Sequence, residues 1–294
     1  MLVSSPLNRP LATLPYELER EIFELTAHAH PGFAPQLALV CRYVQTWVEA
    51  VIYETIVLGQ PDAKQTLFWR TFAARAPAFF AKNIRALHLA TGVSYPRARA
   101  LLTVCTDLVA LTWWVENSYR SRAELLNILS EPGPLSSLRY LSITVATLWP
   151  RAGNFAHPLF ARLTHLELVN PPAWFDWTPL LAPNVLPCLT HLALSELGPA
   201  QAVSALDSTF FREALASDAP GPRLEMLIAV SQNDCFLCSL KDERAVLEDA
   251  RFVCLPSYHY PWGLSEYWDA VARREVQFWT RRESEKPVFQ KLDV

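Results

Sequence analysis

Leu163-Thr164-His165-Leu166-Glu167-Leu168 and Leu189-Thr190-His191-Leu192-Ala193-Leu194 are two copies of one pattern, Leu-x-x-Leu-x-Leu. The last three positions of each copy alternate apolar and non-leucine residues, the period of a β-strand. The pattern continues upstream as Ile84-x-x-Leu87-x-Leu89, Leu108-x-x-Leu111-x-Trp113 and Leu138-x-x-Leu141-x-Ile143. Downstream it continues as Leu224-x-x-Leu227-x-Ala229 and, degenerately, as Ala250-x-x-Val253-x-Leu255. Each strand is expected to turn its central residue and the residue two further on inward. The chain between strands has room for a helix to cover them, and residues 195–223 for a longer one around Val203 to Leu215. One such unit cannot bury its own apolar face, so neighbours must stack. Strands separated by helical crossovers pair in parallel with right-handed connections.

A repeat of about 20–29 residues with this core is the signature of a leucine-rich repeat. The asparagine usual after the strand is missing, its places held by Gly92, Glu116, Ala146, Pro171, Leu197 and Gln232. The expected fold is therefore α/β: an irregular leucine-rich-repeat solenoid of parallel strands and helices. Residues flanking the inward leucines are expected on an open, concave sheet face. By register these are His88, Trp114, Tyr140, Thr144, His165, Glu167, Val169, His191, Met226 and Ile228. Solenoids recognise partners on such surfaces, and exposed aromatics anchor interfaces. Trp114, Tyr140, His165, Glu167 and His191 are the candidate partner-binding residues.

The N-terminal part reads differently. Leu14, Leu18, Ile22 and Leu25 share one helical face. Pro15 suits a first helical turn, and Glu17 and Glu19 suit the helix dipole. Pro31-Gly32 stops the helix. Leu37, Val40, Cys41, Val44, Trp47, Val48 and Val51 follow helical spacing, and Tyr53 to Leu58 reads as a strand. From periodicity alone the first helix is an amphipathic helix folded onto its own core. The run Leu14-Pro15-x-Glu17-Leu18-x-x-x-Ile22-Phe23, followed by Leu37-x-Leu39-Val40-Cys41-Arg42 and Trp47, resembles an F-box. With Ile52 to Leu58 it is similar to the expanded F-box families of fungi. The resemblance implies a small all-α module whose helices bind the Skp-type adaptor of a cullin (SCF) ubiquitin ligase. It implies that Leu14, Pro15, Leu18, Ile22, Leu39, Val40 and Cys41 face that adaptor.

The expected organisation is a flexible tail over residues 1–10, an F-box-like module over 11–53 and the repeats over 54–260. A capping helix (from Leu264 to Arg282) and tail fill 261–294, since an uncovered sheet end invites aggregation. The resemblance implies a non-catalytic substrate receptor of an SCF-type ligase, with an unknown target protein on the repeat surface. The alternative is an interaction scaffold without a ligase role, its F-box-like helices capping the sheet's first edge, with Leu14, Leu18 and Ile22 buried.

Composition narrows the remaining classes. The chain has 294 residues, 51% hydrophobic and 19% charged, with a net charge of −3. It is globular and offers neither nucleic acid nor an anionic membrane a basic surface. No uninterrupted apolar run reaches the length of a membrane span, and Met1 to Pro6 lacks a signal peptide's apolar region. The six cysteines have no disulfide-framework spacing, so a reducing cytosolic or nuclear compartment is expected. Cys235-x-x-Cys238 is a lone pair, and zinc needs a second one or two matched histidines. His165 and His191 should sit on adjacent strands near Glu167, without a third ligand or a second shell. No phosphate loop, nucleophile elbow or paired catalytic carboxylates occur. Neither a cofactor, a metal nor an enzymatic activity is expected.

Overall fold

The computed structural model describes residues 14–59, 62–115, 135–148, 155, 157–172, 175–197, 208–216, 221–231, 244–256 and 279. The expected tail over 1–10, Cys235, Cys238 and, apart from Trp279, the 264–282 helix lie outside them. Two compact units are present, Met1–Glu54 and Thr55–Val294.

The first unit holds three helices: α1 (Tyr16–Ala29), α2 (Ala34–Leu37) and α3 (Arg42–Glu54). Pro15 stands just before α1 in extended backbone, and its carbonyl accepts the N–H groups of Leu18 and Glu19 at 3.0 Å. The core is Ala27 of α1, Ala34 and Leu37 of α2, and Val44, Trp47 and Val48 of α3, with Phe23, Ala38, Cys41, Val51 and Ile52 against it. Trp47 is its hub, with ring centres 4.8 Å from Tyr16, 5.0 Å from Tyr43 and 6.4 Å from Phe23.

The second unit is α/β. Its sheet has eight parallel strands in chain order: β1 (Thr55–Leu58), β2 (Ala86–Leu89), β3 (Ala110–Trp113), β4 (Tyr140–Thr144), β5 (His165–Val169), β6 (His191–Leu197), β7 (Met226–Ser231) and β8 (Phe252–Pro256). It is open, with β1 and β8 at its edges. The described connections hold α4 (Ala63–Ala74), α5 (Pro77–Asn83), α6 (Tyr95–Val104), α7 (Val145–Leu148), α8 (Ser208–Leu215) and α9 (Arg244–Leu247), with 3-10 turns at Phe160–Arg162 and Thr178–Leu181. Pro77 starts α5 instead of lying inside one long helix, since its ring would clash with the preceding turn.

Register makes the repeats equivalent. Ile56, Leu87, Leu111, Leu141, Leu166, Leu192 and Leu227 are partners across seven strands. The first apolar position of each repeat (Ile84, Leu108, Leu138, Leu163, Leu189, Leu224) is buried, as are the inward residues two after each centre. Each such leucine contributes about 1.5–3 kcal/mol by leaving water. The last repeat departs from expectation. Leu227 pairs with Phe252, not Val253. A one-residue slip sends every side chain to the other face. Phe252 accordingly meets Phe211 of α8 at 5.5 Å, whereas Val253 packs on the opposite face beside Met226, Ile228 and Val230.

Candidate interaction site

Two surfaces hold the residues singled out from the sequence, one in each unit. In the helical unit, Phe23 and Ala27 turn α1 toward Trp47, while the stripe Leu14, Leu18, Ile22 and Leu25 lies on solvent. Leu18 and Ile22 are 47% and 49% exposed. The turn between α2 and α3 presents Leu39 and Val40, 84% and 59% exposed, and Pro15, Tyr16, Phe33 and Tyr43 are exposed too. An apolar stripe left outside while a second apolar stripe of the same helix forms the core has no use within that unit. Exposed apolar surface of this kind marks protein contacts. Cys41 is the exception among the expected adaptor-facing residues: it is half-buried against the core.

On the sheet, the expectation of an open face fails for Trp114 and Glu167. Trp114 is 5% exposed and Glu167 2%, and His88, Val169, Met226 and Ile228 are buried as well. The physical reason is a hydrogen-bonded layer on the face opposite the inward leucines. The Trp114 indole N–H donates to Ser142 Oγ at 2.8 Å. Ser142 also bonds the Glu167 carboxyl, and Ser195 Oγ donates to Glu167 Oε1 at 2.6 Å. Thr112, Ser142 and Glu167 occupy the same register position on β3, β4 and β5, one after each central leucine. His88 holds that position on β2, its Nδ1 2.8 Å from Thr112 Oγ1. A buried carboxyl is tolerable when hydrogen-bonded. Burial raises the Glu167 pKa, with the two serine hydroxyls opposing the shift. Burial pushes the His88 imidazole down to about 4.

Beside this polar layer runs a column of rings at the first position of each strand. Tyr140 stacks on His165 at 4.2 Å and 27°, and His165 on His191 at 4.1 Å and 16°. The spacing follows from parallel strands in register, about 4.8 Å apart. Thr164 and Thr190 hydroxyls lie 2.9 and 2.8 Å from the Nδ1 atoms of His165 and His191, fixing both rings. Trp279 stands perpendicular to both imidazoles at the side of their stack, at 5.0 Å and 75° from His165 and 5.9 Å and 89° from His191. It also packs on the apolar group of Ala193, Met226, Ile228 and Val230. Burial, and then His191, push His165 down to about 4. Tyr140 remains 39% exposed at the far end of the column.

The structure thus joins Tyr140, His165 and His191 into one column and buries Trp114 and Glu167 beside it. Trp279 was missed as a contact, because nothing in its neighbourhood of sequence relates it to β5 or β6. The shared register position of Thr112, Ser142 and Glu167 was available as a signal for the polar layer. No cluster of metal-binding side chains occurs among the described residues, and no helix among them is long and apolar enough to cross a membrane. No protein-family model, curated protein or solved structure matches the chain.

Proposed function

We propose that the chain is a non-catalytic substrate receptor of an SCF-type ubiquitin ligase, an F-box-like helical module followed by an irregular leucine-rich-repeat solenoid. In this reading α1 and the α2–α3 turn dock a Skp-type adaptor, and the sheet surface holds a target protein. The receptor then acts by raising the effective concentration of ligase at target. The carrying observation is the exposed stripe Leu14, Leu18 and Ile22, with Leu39 and Val40, on a unit that already has a separate core.

Co-purification with a Skp-type adaptor tests the reading. The wild-type chain is expected to retain the adaptor. Leu18→Asp and Ile22→Asp are expected to lose it while keeping the wild-type circular-dichroism spectrum. Adaptor capture unchanged by both substitutions would sink the ligase role.

A further inference from the structure

Trp279 suggests what the sheet surface recognises. Its indole stands perpendicular to the stacked imidazoles of His165 and His191 and lies against the side of that stack, at the ring edges, a T-shaped arrangement that aromatic rings favour. Below the same indole lies a dry floor of Ala193, Met226 and Ile228. One wall is therefore a row of imidazole edges and the floor is aliphatic, a seat fitted to the face of a large flat ring. The ring stack also runs beyond its occupant: Tyr140 continues it from His165 and stays exposed. The histidines cannot rotate freely to suit another use, since Thr164 and Thr190 hold them.

We propose that this seat is the target-binding site, that it recognises an aromatic side chain of the target protein, tryptophan above the others, and that Trp279 is an intramolecular occupant the target must displace. The assignment rests on the receptor reading for its biological use, but the seat and its occupant are properties of the sheet alone. An occupant carried on the same chain competes at a high effective concentration, of order millimolar. A ligand binding the empty seat at tens of micromolar would then be weakened by roughly tenfold or more in the intact chain.

The test uses the full chain and a synthetic peptide with the sequence of residues 275–283, Glu-Val-Gln-Phe-Trp-Thr-Arg-Arg-Glu. Titration calorimetry is run on the wild type, on Trp279→Ala and on Trp279→Ala with His165→Ala. Trp279→Ala is expected to bind the peptide at least about tenfold tighter than wild type. The double variant, and the same peptide with alanine for its tryptophan, are expected to bind neither measurably nor saturably. Equal affinities of wild type and Trp279→Ala, or equal affinities of the two peptides, would overturn the proposal. Should Trp279→Ala fail to fold, the wild type labelled with 5-fluorotryptophan gives the answer by fluorine NMR. The Trp279 signal, assigned with Trp279→Phe, is expected to move toward its solvent-exposed position as peptide is added. A signal unmoved at the highest peptide concentration would overturn the proposal equally. Adaptor capture through α1 is read in a separate assay, so loss of one result leaves the other standing.

Discussion

His88 should make the sheet unit sensitive to mild acid. Its imidazole is buried on β2, between Val57 of β1 and Thr112 of β3, neither of which ionises. It titrates at about 4 in the folded chain, against about 6.5 when unfolded. Between those values the unfolded chain takes up a proton that the folded chain refuses. Stability is therefore complete above about pH 6.5, falls as the pH drops toward 4, and is level below. At about 1.4 kcal/mol for each pH unit of that gap, the loss is roughly 3 kcal/mol. His165 acts in the same direction and more weakly, because solvent reaches part of its ring. Glu167 acts in the opposite direction: its raised pKa makes its burial a cost that grows as the pH rises past the ordinary carboxylate range and vanishes in acid. The measurement is a series of urea unfolding midpoints from pH 7.5 to 4, on the wild type and on His88→Asn, which keeps a polar group facing Thr112. The difference between the two curves isolates His88 from every other titrating group. The wild type is expected to lose about 3 kcal/mol more than the variant over that range. Parallel curves would refute the reasoning.

Leu166→Ala empties a fully buried position in the middle of the sheet and is expected to cost about 2–5 kcal/mol by thermal or urea unfolding. Glu167→Gln keeps hydrogen-bonding capacity toward Ser142 and Ser195 while removing the charge. It should leave stability unchanged or higher at neutral pH and, with the contribution that opposes His88 gone, steepen the loss of stability between about pH 7 and 4, read by the same midpoints. Gly221→Ala places a Cβ 2.8 Å from the backbone oxygen of Leu181, so a loss of about 1–3 kcal/mol is expected in urea. Leu18→Asp, on an exposed face, should shift unfolding by no more than about 0.5 kcal/mol, which separates lost docking from lost folding.

The repeat positions were legible because they depend only on local alternation. The aligned leucines from Leu87 to Leu227 fall where the pattern puts them. The last repeat was misread by one residue because Phe252-x-Cys254 and Val253-x-Leu255 both alternate as apolar sets, and only contact with Phe211 distinguishes them. The direction of α1 was ambiguous for a similar reason. Phe23 and Ala27 form a second apolar stripe beside Leu18 and Ile22, and periodicity picked out only the first and turned it toward the core. The burial of Trp114 and Glu167 was not legible at all. Side-chain direction follows from strand register, but exposure depends on whatever lies across the face, which the strand's own residues do not specify.

The strand order also has a consequence for biosynthesis. Each strand pairs with the one made just before it, so the sheet can grow in the direction of translation, without waiting for a distant partner. The ring column is different. His165 and His191 leave the ribosome well before Trp279, by an interval on the order of ten seconds at ordinary elongation rates. A nascent chain can therefore carry β5 and β6 with the proposed aromatic seat vacant. During that interval it can meet a ligand, or a chaperone, for which Trp279 would compete in the released protein.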